Sequence, residues 1–412
     1  MISAQNDDSL DFELDSPEVK RDPFPLLRRL RKEDPIHYVE SSDLWLVSRY
    51  EDISNLYSEP RLTGDRRQWT HYVQPDEGSF FRWIDDHGLM ALDRKSHAMQ
   101  RKLLGSGLSP RGISSMEKKI RSVVDHFARP LHGRTGVVDI MKEYTTPIPI
   151  VVIGTITGVT APGVDETTFS ELAQETIRGF FGFVSEEVKR RSEENYLQLS
   201  EWVRETIRQR RAEPQNDLIS HLIQAQEGSY KLDDEGIVAQ VSAMLAAGSE
   251  TTSSGGVTAI STLLEHPETL ERVRRDRSLI PQTISEVLRF RFGGVGGTQR
   301  FALEDFEYKG RKFRKGQLVM LSMGGASRDP EFYEDPDTFN IDRNADGLMA
   351  FGFGPHYCLG ANLARCELSN ILDAALDFLP PGATVLQDKI EKQSLGIFDR
   401  DMNCPVDFGN GA

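Results

Sequence analysis

Cys358 stands within "FGFGPHYCLGANLARCEL", residues 351–368, with Gly352, Gly354 and Gly360 around it. Glycines let a backbone fold tightly about a sulfur and aim N–H groups at it. The start of a helix adds positive potential, so both features favour thiolate over thiol. An oriented thiolate in an apolar loop suits a single strong metal bond, and Phe351 and Phe353 are placed to exclude water from it. The plainer alternative is a buried free cysteine in a glycine turn. A phosphate-cradling loop is disfavoured because no Gly-Lys-Ser/Thr follows. Cys366, two helical turns on, and Cys404 read as core residues.

A second chemical stretch is "AAGSETTSSGG", residues 246–256, in the middle of a long helical pattern. Its glycines, serines and threonines are all worse than alanine in a helix interior. Their hydroxyls compete for backbone groups and bend the ladder. Local weakness is therefore expected here, read either as a tolerated kink or as a site. A third signal is Glu286 and Arg289 in "EVLR", neighbours on a helix face. Such a pair means little alone, since exposed pairs of this kind are common.

The elements that must carry these residues are mostly helical. The long pattern runs through "DDEGIVAQVSAML" and resumes in "VTAISTLLEHPETLERV", and helical periodicity dominates from about 110 to 266. Short strands are expected at 36–39 and 44–47, and again in "RFALEDFEYKGRKFRKGQLVMLSM", where Gly310 and Gly316 mark turns. A closing helix follows Cys358. Strands do not alternate regularly with helices, so a Rossmann or barrel fold is disfavoured. A mainly α fold with small β-sheets is expected, as one domain over 1–412 behind a short disordered tail of about 1–15.

The 412 residues carry a net charge of −15, which argues against a nucleic-acid partner. A small local basic patch for an acidic partner stays compatible with that charge. The acidic start, "MISAQNDDSLDFELDSPEVK", lacks the cationic and apolar regions of a signal peptide. The most apolar run, 148–159, is too short to span a bilayer. No membrane association and a cytoplasmic location are expected. Three cysteines without a CxxC leave no disulfide framework.

Phe351, Gly354, His356, Cys358 and Gly360 match FxxGxHxCxG, and on these residues the chain resembles the bacterial cytochromes P-450, the haem-thiolate monooxygenases. Other signatures of that family follow in order. Glu286 and Arg289 resemble its ExxR pair, and Arg343 in "FNIDR" resembles the segment supplying the third member of a structural clamp. His97 and Arg101 in "HAMQR", Arg300 in "GTQR", and His356 resemble the partners of the haem propionates. "AAGSET" resembles the oxygen-binding signature, with Gly248 allowing close approach of the distal helix to the haem. Thr251 would then hydrogen-bond dioxygen at the iron, and Glu250 would help relay protons.

The resemblance implies the cytochrome P-450 fold, with haem b between the long distal helix and the cysteine-loop helix and Cys358 as axial ligand. It implies dioxygen as co-substrate, and hydroxylation, epoxidation or dealkylation of an apolar small molecule. Electrons would come from an iron–sulfur ferredoxin and its NAD(P)H-dependent reductase. Lys102 and Arg365 fall on segments resembling the ferredoxin-docking face, or are plain solvated charges. The pocket would draw on Met90, Ala243, Ala246, Ala247, Val295, Gly296, Ile397 and Phe398, plus the stretch around "IRGFFGF". One departure stands out: the proline-containing turn that many relatives carry after ExxR is replaced by "RFRFGGVGGTQR". Three other readings remain at this level: a haem-thiolate sensor, a peroxide-driven oxygenase, and a redox thiol without haem.

Overall fold

The structure, a computed structural model, describes residues 12–77, 79–89, 92, 94–159, 166–178, 186–225, 231–291, 293–394 and 399–409. Two compact units are formed from interleaved segments. The first takes Met1–Tyr72, Phe292–Thr338 and Ile397–Asp399, and the second takes Val73–Arg291, Phe339–Gly396 and Arg400–Ala412.

The chain begins with helices α1 (Pro17–Arg21) and α2 (Phe24–Glu33), strands β1 (Ile36–Val39) and β2 (Leu44–Val47), helix α3 (Tyr50–Tyr57) and strand β3 (Leu62–Thr63). Helices α4 (Phe80–His87), α5 (Arg94–Gly107) and α6 (Pro110–Ala128) come next, then β4 (Val137–Asp139). A helical series follows: α7 (Pro147–Thr157), α8 (Glu166–Arg178), α9 (Glu186–Ala212), α10 (Leu218–Gln224), α11 (Asp234–Glu265), α12 (Pro267–Arg275) and α13 (Ile280–Arg291). Strands β5 (Gly297–Ala302), β6 (Phe306–Tyr308), β7 (Arg311–Phe313) and β8 (Leu318–Ser322) lead to α14 (Met323–Ser327) and α15 (Ala361–Phe378). Short strands β9 (Thr384–Val385), β10 (Lys392–Ser394), β11 (Asp399–Asp401) and β12 (Pro405–Asp407) complete the described chain.

The first unit is built on a five-stranded sheet in the order β1-β2-β8-β5-β3. β1 and β2 pair antiparallel with Ile36 opposite Val47, while β2 runs parallel to β8 with Leu44 beside Leu318. Glycine is obligatory at 297, because a Cβ there would lie 1.7 Å from the Leu321 carbonyl oxygen. Under the sheet, Leu27, Leu30, Leu46, Phe301 and Met320 form a core that also buries Leu14 and Val295. Burial of Leu14, and the Ser16 side chain capping α1, place ordered chain inside the stretch expected to be a tail to about 15. Residues 1–11 of that tail lie outside the described residues.

The second unit is organised around α11, which packs against α7, α8, α9 and α15. Asp233 starts α11 by accepting the Gly236 N–H at 2.7 Å, an ordinary aspartate cap. The apolar run at 148–159 becomes α7 and its capping residues, a buried core helix closed by Gly158 at φ 84°. Ahead of it, Met141–Thr145 form a π-helical turn. Among the described residues no helix is long and apolar enough to cross a membrane.

The weak stretch in α11 does not break it: the helix is continuous from Asp234 to Glu265. Part of the weakness serves packing instead. A Cβ at Gly255 would lie 3.1 Å from the Leu368 side chain, and one at Gly256 would lie 3.3 Å from both Ile371 and Thr145. Gly248 plays the same part against Ile153 of α7, at 3.3 Å. Glycine thus lets neighbouring helices pack closely at positions where even a methyl group would make a tight contact.

Candidate active site

The cysteine loop is folded by its own backbone. The Cys358 N–H donates to the Phe351 carbonyl at 2.8 Å, closing a loop in which Gly352 and Gly354 hold φ of 72° and 66°. Those left-handed positions are where a side chain would be strained. Gly360 caps α15, so Cys358 precedes a helix as the spacing predicted. Cys358 is exposed, yet desolvation by the loop raises its thiol above the ordinary range. The Gly360 N–H and the Arg101 charge oppose that shift. The Gly360 N–H thus acts in the expected direction, favouring the thiolate, while desolvation acts against it. Burial also raises Cys366 to about 11 and Cys404 to about 12, as suits packed thiols.

Helix α5 brings two basic side chains to this loop. His97 is buried, and its ring centroid lies 4.2 Å from that of His356. One turn later Arg101 donates through Nη2 to the Tyr357 carbonyl. Burial lowers the Arg101 pKa while Cys358 pulls it up.

Arg300 belongs to the first unit, on β5, and is 2% exposed. Its Nη1 donates to the Gln299 carbonyl at 2.9 Å, its guanidinium lies 5.3 Å from the Tyr57 ring centroid, and its Nη2 makes no hydrogen bond. Burial depresses its pKa, and Tyr57 is the counterweight. Among the described residues no carboxylate forms an ion pair with it. A desolvated cation without a counter-ion is costly, so this residue is built for an anion from outside the chain. Within the first unit, Arg300 suits a carboxylate, and within the second unit the glycine-wrapped sulfur suits a metal.

The i, i+3 pair of α13 is deeply buried. Arg289 Nε and Nη2 donate to Glu286 Oε2 and Oε1 at 2.7 and 2.8 Å, with both side chains 0% exposed. Arg343 Nε lies 3.5 Å from Glu286 Oε1, and the Asn340 N–H donates to the same oxygen at 2.8 Å. This is a bidentate pair with one further donor and one longer ion-pair contact, not the exposed pair its spacing alone would suggest.

On α11, Ala243, Ala247 and Thr251 follow one face at four-residue steps. Ala247 and Thr251 are exposed on a helix otherwise largely buried, and Gly248 and Glu250 beside them are half-buried. The Thr251 hydroxyl donates to the Ala247 carbonyl at 2.9 Å, and Ser249 Oγ does the same to Leu245. Thr252 is buried on another face.

The expected pocket residues divide. Ala243 and Ala247 share the Thr251 face, whereas Ala246 is 2% exposed on the buried face that also carries Ser249 and Ser253. Val295, also 2% exposed, packs in the core of the first unit, and Gly296 is half-buried. Burial thus takes Ala246 and Val295 away from any open surface. Met90, Ile397, Phe398 and most of the "IRGFFGF" stretch lie outside the described residues.

Three participants escaped sequence reasoning. The Asn340 N–H and the Tyr357 carbonyl are backbone groups, which no side-chain pattern reveals. Glu367 left a readable trace, being a carboxyl in the apolar stripe of Leu363, Ile371 and Ala374 on α15. It is 2% exposed, its Oε2 makes no hydrogen bond, and burial raises its pKa well above the ordinary range.

Comparison with known proteins identifies a family. The family profile described as Cytochrome P-450 matches residues 167–378. The chain is 29% identical to the polyketide biosynthesis cytochrome P-450 PksS of Bacillus subtilis, over 85% of this chain and 86% of that protein. It is 32% identical to the epothilone C/D epoxidase of Sorangium cellulosum, over 87% and 86%. The crystal structure of epothilone D-bound cytochrome P-450epoK superposes with a TM-score of 0.86 at 26% identity, covering 98% of this chain and 100% of that one. With a glycine-wrapped cysteine, a buried Glu–Arg clamp and this similarity over most of its length, the chain belongs to the cytochrome P-450 family of haem b-dependent monooxygenases.

Proposed function

We propose that this monooxygenase hydroxylates or epoxidises a bulky apolar small molecule of polyketide type, with electrons from a separate ferredoxin and its NAD(P)H-dependent reductase. The observation that carries the reading is the small-residue face of α11. Ala243 and Ala247 leave room beside the exposed Thr251 hydroxyl in a helix largely buried elsewhere. The polyketide assignment draws on the names of the two relatives, one a polyketide-biosynthesis enzyme and one an epothilone epoxidase.

In this proposal Cys358 would ligate the haem iron, and His97, Arg101, His356 and Arg300 would serve the haem propionates. Bound haem supplies the oxidising chemistry, using dioxygen, two electrons and two protons to place one oxygen atom in substrate and release the other as water. The chain's own work is proton placement, orientation and water exclusion. Thr251 Oγ1 gives its proton to the Ala247 carbonyl, which leaves its lone pairs free to accept a hydrogen bond on the open side. Glu250, the next residue back, is the ionisable group that brings a proton to that hydroxyl. Glu286, Arg289 and Arg343 hold the backbone of 340–343 in place and take no chemical step.

The test is a spectral screen followed by reconstitution. Macrolactones and other polyketides, compared with steroids and terpenoids, should give the low- to high-spin haem shift. A hit should then be oxygenated only when ferredoxin, reductase, NAD(P)H and oxygen are all present. Equal turnover with peroxide alone would favour the peroxide-driven reading and remove the electron partners.

A further inference from the structure

Arg365 is not a freely solvated charge. Its guanidinium carbon lies 4.8 Å from the centroid of the Phe351 ring, and its Nη1 donates to Ser285 Oγ at 3.2 Å. Phe351 is the root of the cysteine loop, since its carbonyl takes the Cys358 N–H at 2.8 Å. Its ring in turn leans on Tyr357, 6.2 Å away between centroids. Ser285 directly precedes Glu286 of the buried clamp on α13. One planar cation therefore touches the loop aromatic and the clamp helix at once, from a position two turns beyond Cys358.

We propose that Arg365 is a positioning residue, whose stacking on Phe351 holds the cysteine loop in its metal-ligating shape. The geometry of a helix supports this, because side chains lean toward its N-terminus, and here that direction leads back to the loop. The chemistry supports it as well. A guanidinium can lie flat on a ring while its edge still donates a hydrogen bond, whereas an ammonium keeps the charge and loses the plane. Ring and cation together make a pair of fixed orientation at the root of the cysteine loop. The inference rests on the haem-thiolate reading of Cys358 and gives Arg365 a task that needs no ferredoxin.

The experiment uses the reduced, carbon monoxide-bound holoenzyme without redox partners. The rate at which its red-shifted, thiolate-ligated Soret band is lost in mild urea would be measured. Arg365→Lys should speed that loss several-fold while the midpoint of global unfolding moves little. Phe351→Leu should speed it too, and Arg365→Lys added to Phe351→Leu should have no further effect. Unchanged band loss in Arg365→Lys and Arg365→Ala, with only ferredoxin affinity lowered, would make Arg365 a docking charge and overturn the proposal. Faster loss in Arg365→Ala alone would assign the effect to charge and overturn the stacking. Band loss that merely tracks global unfolding in every variant would also overturn it. If wild type shows no red-shifted band at all, the haem-thiolate reading fails, which is a distinct result.

Discussion

Thr251 and Thr252 are adjacent and chemically identical, yet the helix gives them different surroundings. Thr251 is exposed and bonded back to Ala247, while Thr252 is buried on another face. Thr251→Ala should still bind haem and carbon monoxide and still consume NAD(P)H. Product per NAD(P)H should fall steeply, with hydrogen peroxide appearing in its place, because the hydroxyl that places the proton is gone. Thr252→Ala should keep its coupling, and equal uncoupling in both variants would point to a general disturbance of α11. The cysteines separate in the same manner. Cys358→His should abolish the red-shifted carbon monoxide band, and Cys366→Ser should retain it, as measured by the reduced difference spectrum. What made Cys358 legible was the density of glycine about it. Its raised thiol pKa was not legible, because desolvation depends on neighbours that sequence does not place.

At the level of elements, the α13 clamp and the α11–α15 contact bear the most weight. Glu286 gathers Arg289, Arg343 and the Asn340 N–H around one buried carboxylate. Glu286→Ala removes the carboxylate that pairs the buried Arg289 and the half-buried Arg343, a change that costs about 3–5 kcal/mol. The variant should be recovered haem-poor and with a lowered thermal midpoint. The second contact depends on missing side chains. Gly256→Val places methyl groups against Ile371 and Thr145, where a single Cβ would already approach to 3.3 Å. Over-packing of this kind costs ~1–3 kcal/mol, readable in urea denaturation. Sequence showed that α11 was locally weak but assigned all of the weakness to one task. The glycines at 255 and 256 answer to α15, and that partnership joins residues more than a hundred positions apart. The strands at 36–39 and 44–47, by contrast, stand where they were expected, although β2 is buried along its whole length and does not alternate.

For the whole molecule, the informative group is the buried Glu367. Its folded-state pKa is raised well above the ordinary range by burial, while in the unfolded chain it titrates near 4.3. The folded protein therefore holds a proton that the unfolded chain gives up as pH rises past that value. Stability from this group is complete below the unfolded pKa and declines through the window between the unfolded and folded values. Each pH unit there removes up to ~1.4 kcal/mol. Glu367→Gln does not titrate, so its stability relative to wild type should climb as pH increases from 5 toward 8, in parallel denaturation series. A constant difference across that range would mean that Glu367 is ionised in the fold. The helical class of the molecule was legible from periodicity, and the order of its signatures was legible from resemblance. The placement of Val295 and Ala246 in buried positions was not, since a small apolar residue looks the same in a pocket wall and in a core.

The parallel pairing of β2 with β8 has a consequence for the newborn chain. Val47 leaves the ribosome about 270 residues before Leu318 is made, a wait of roughly 15–55 s at ordinary rates of synthesis. Throughout that interval the β1–β2 hairpin has an unsatisfied edge, and a two-stranded ribbon is marginal in water. Its "LWLV" strand, buried along its whole length in the finished sheet, is meanwhile without its neighbour. Until β8 is made, the hairpin must therefore be sheltered by chaperones or remain unformed.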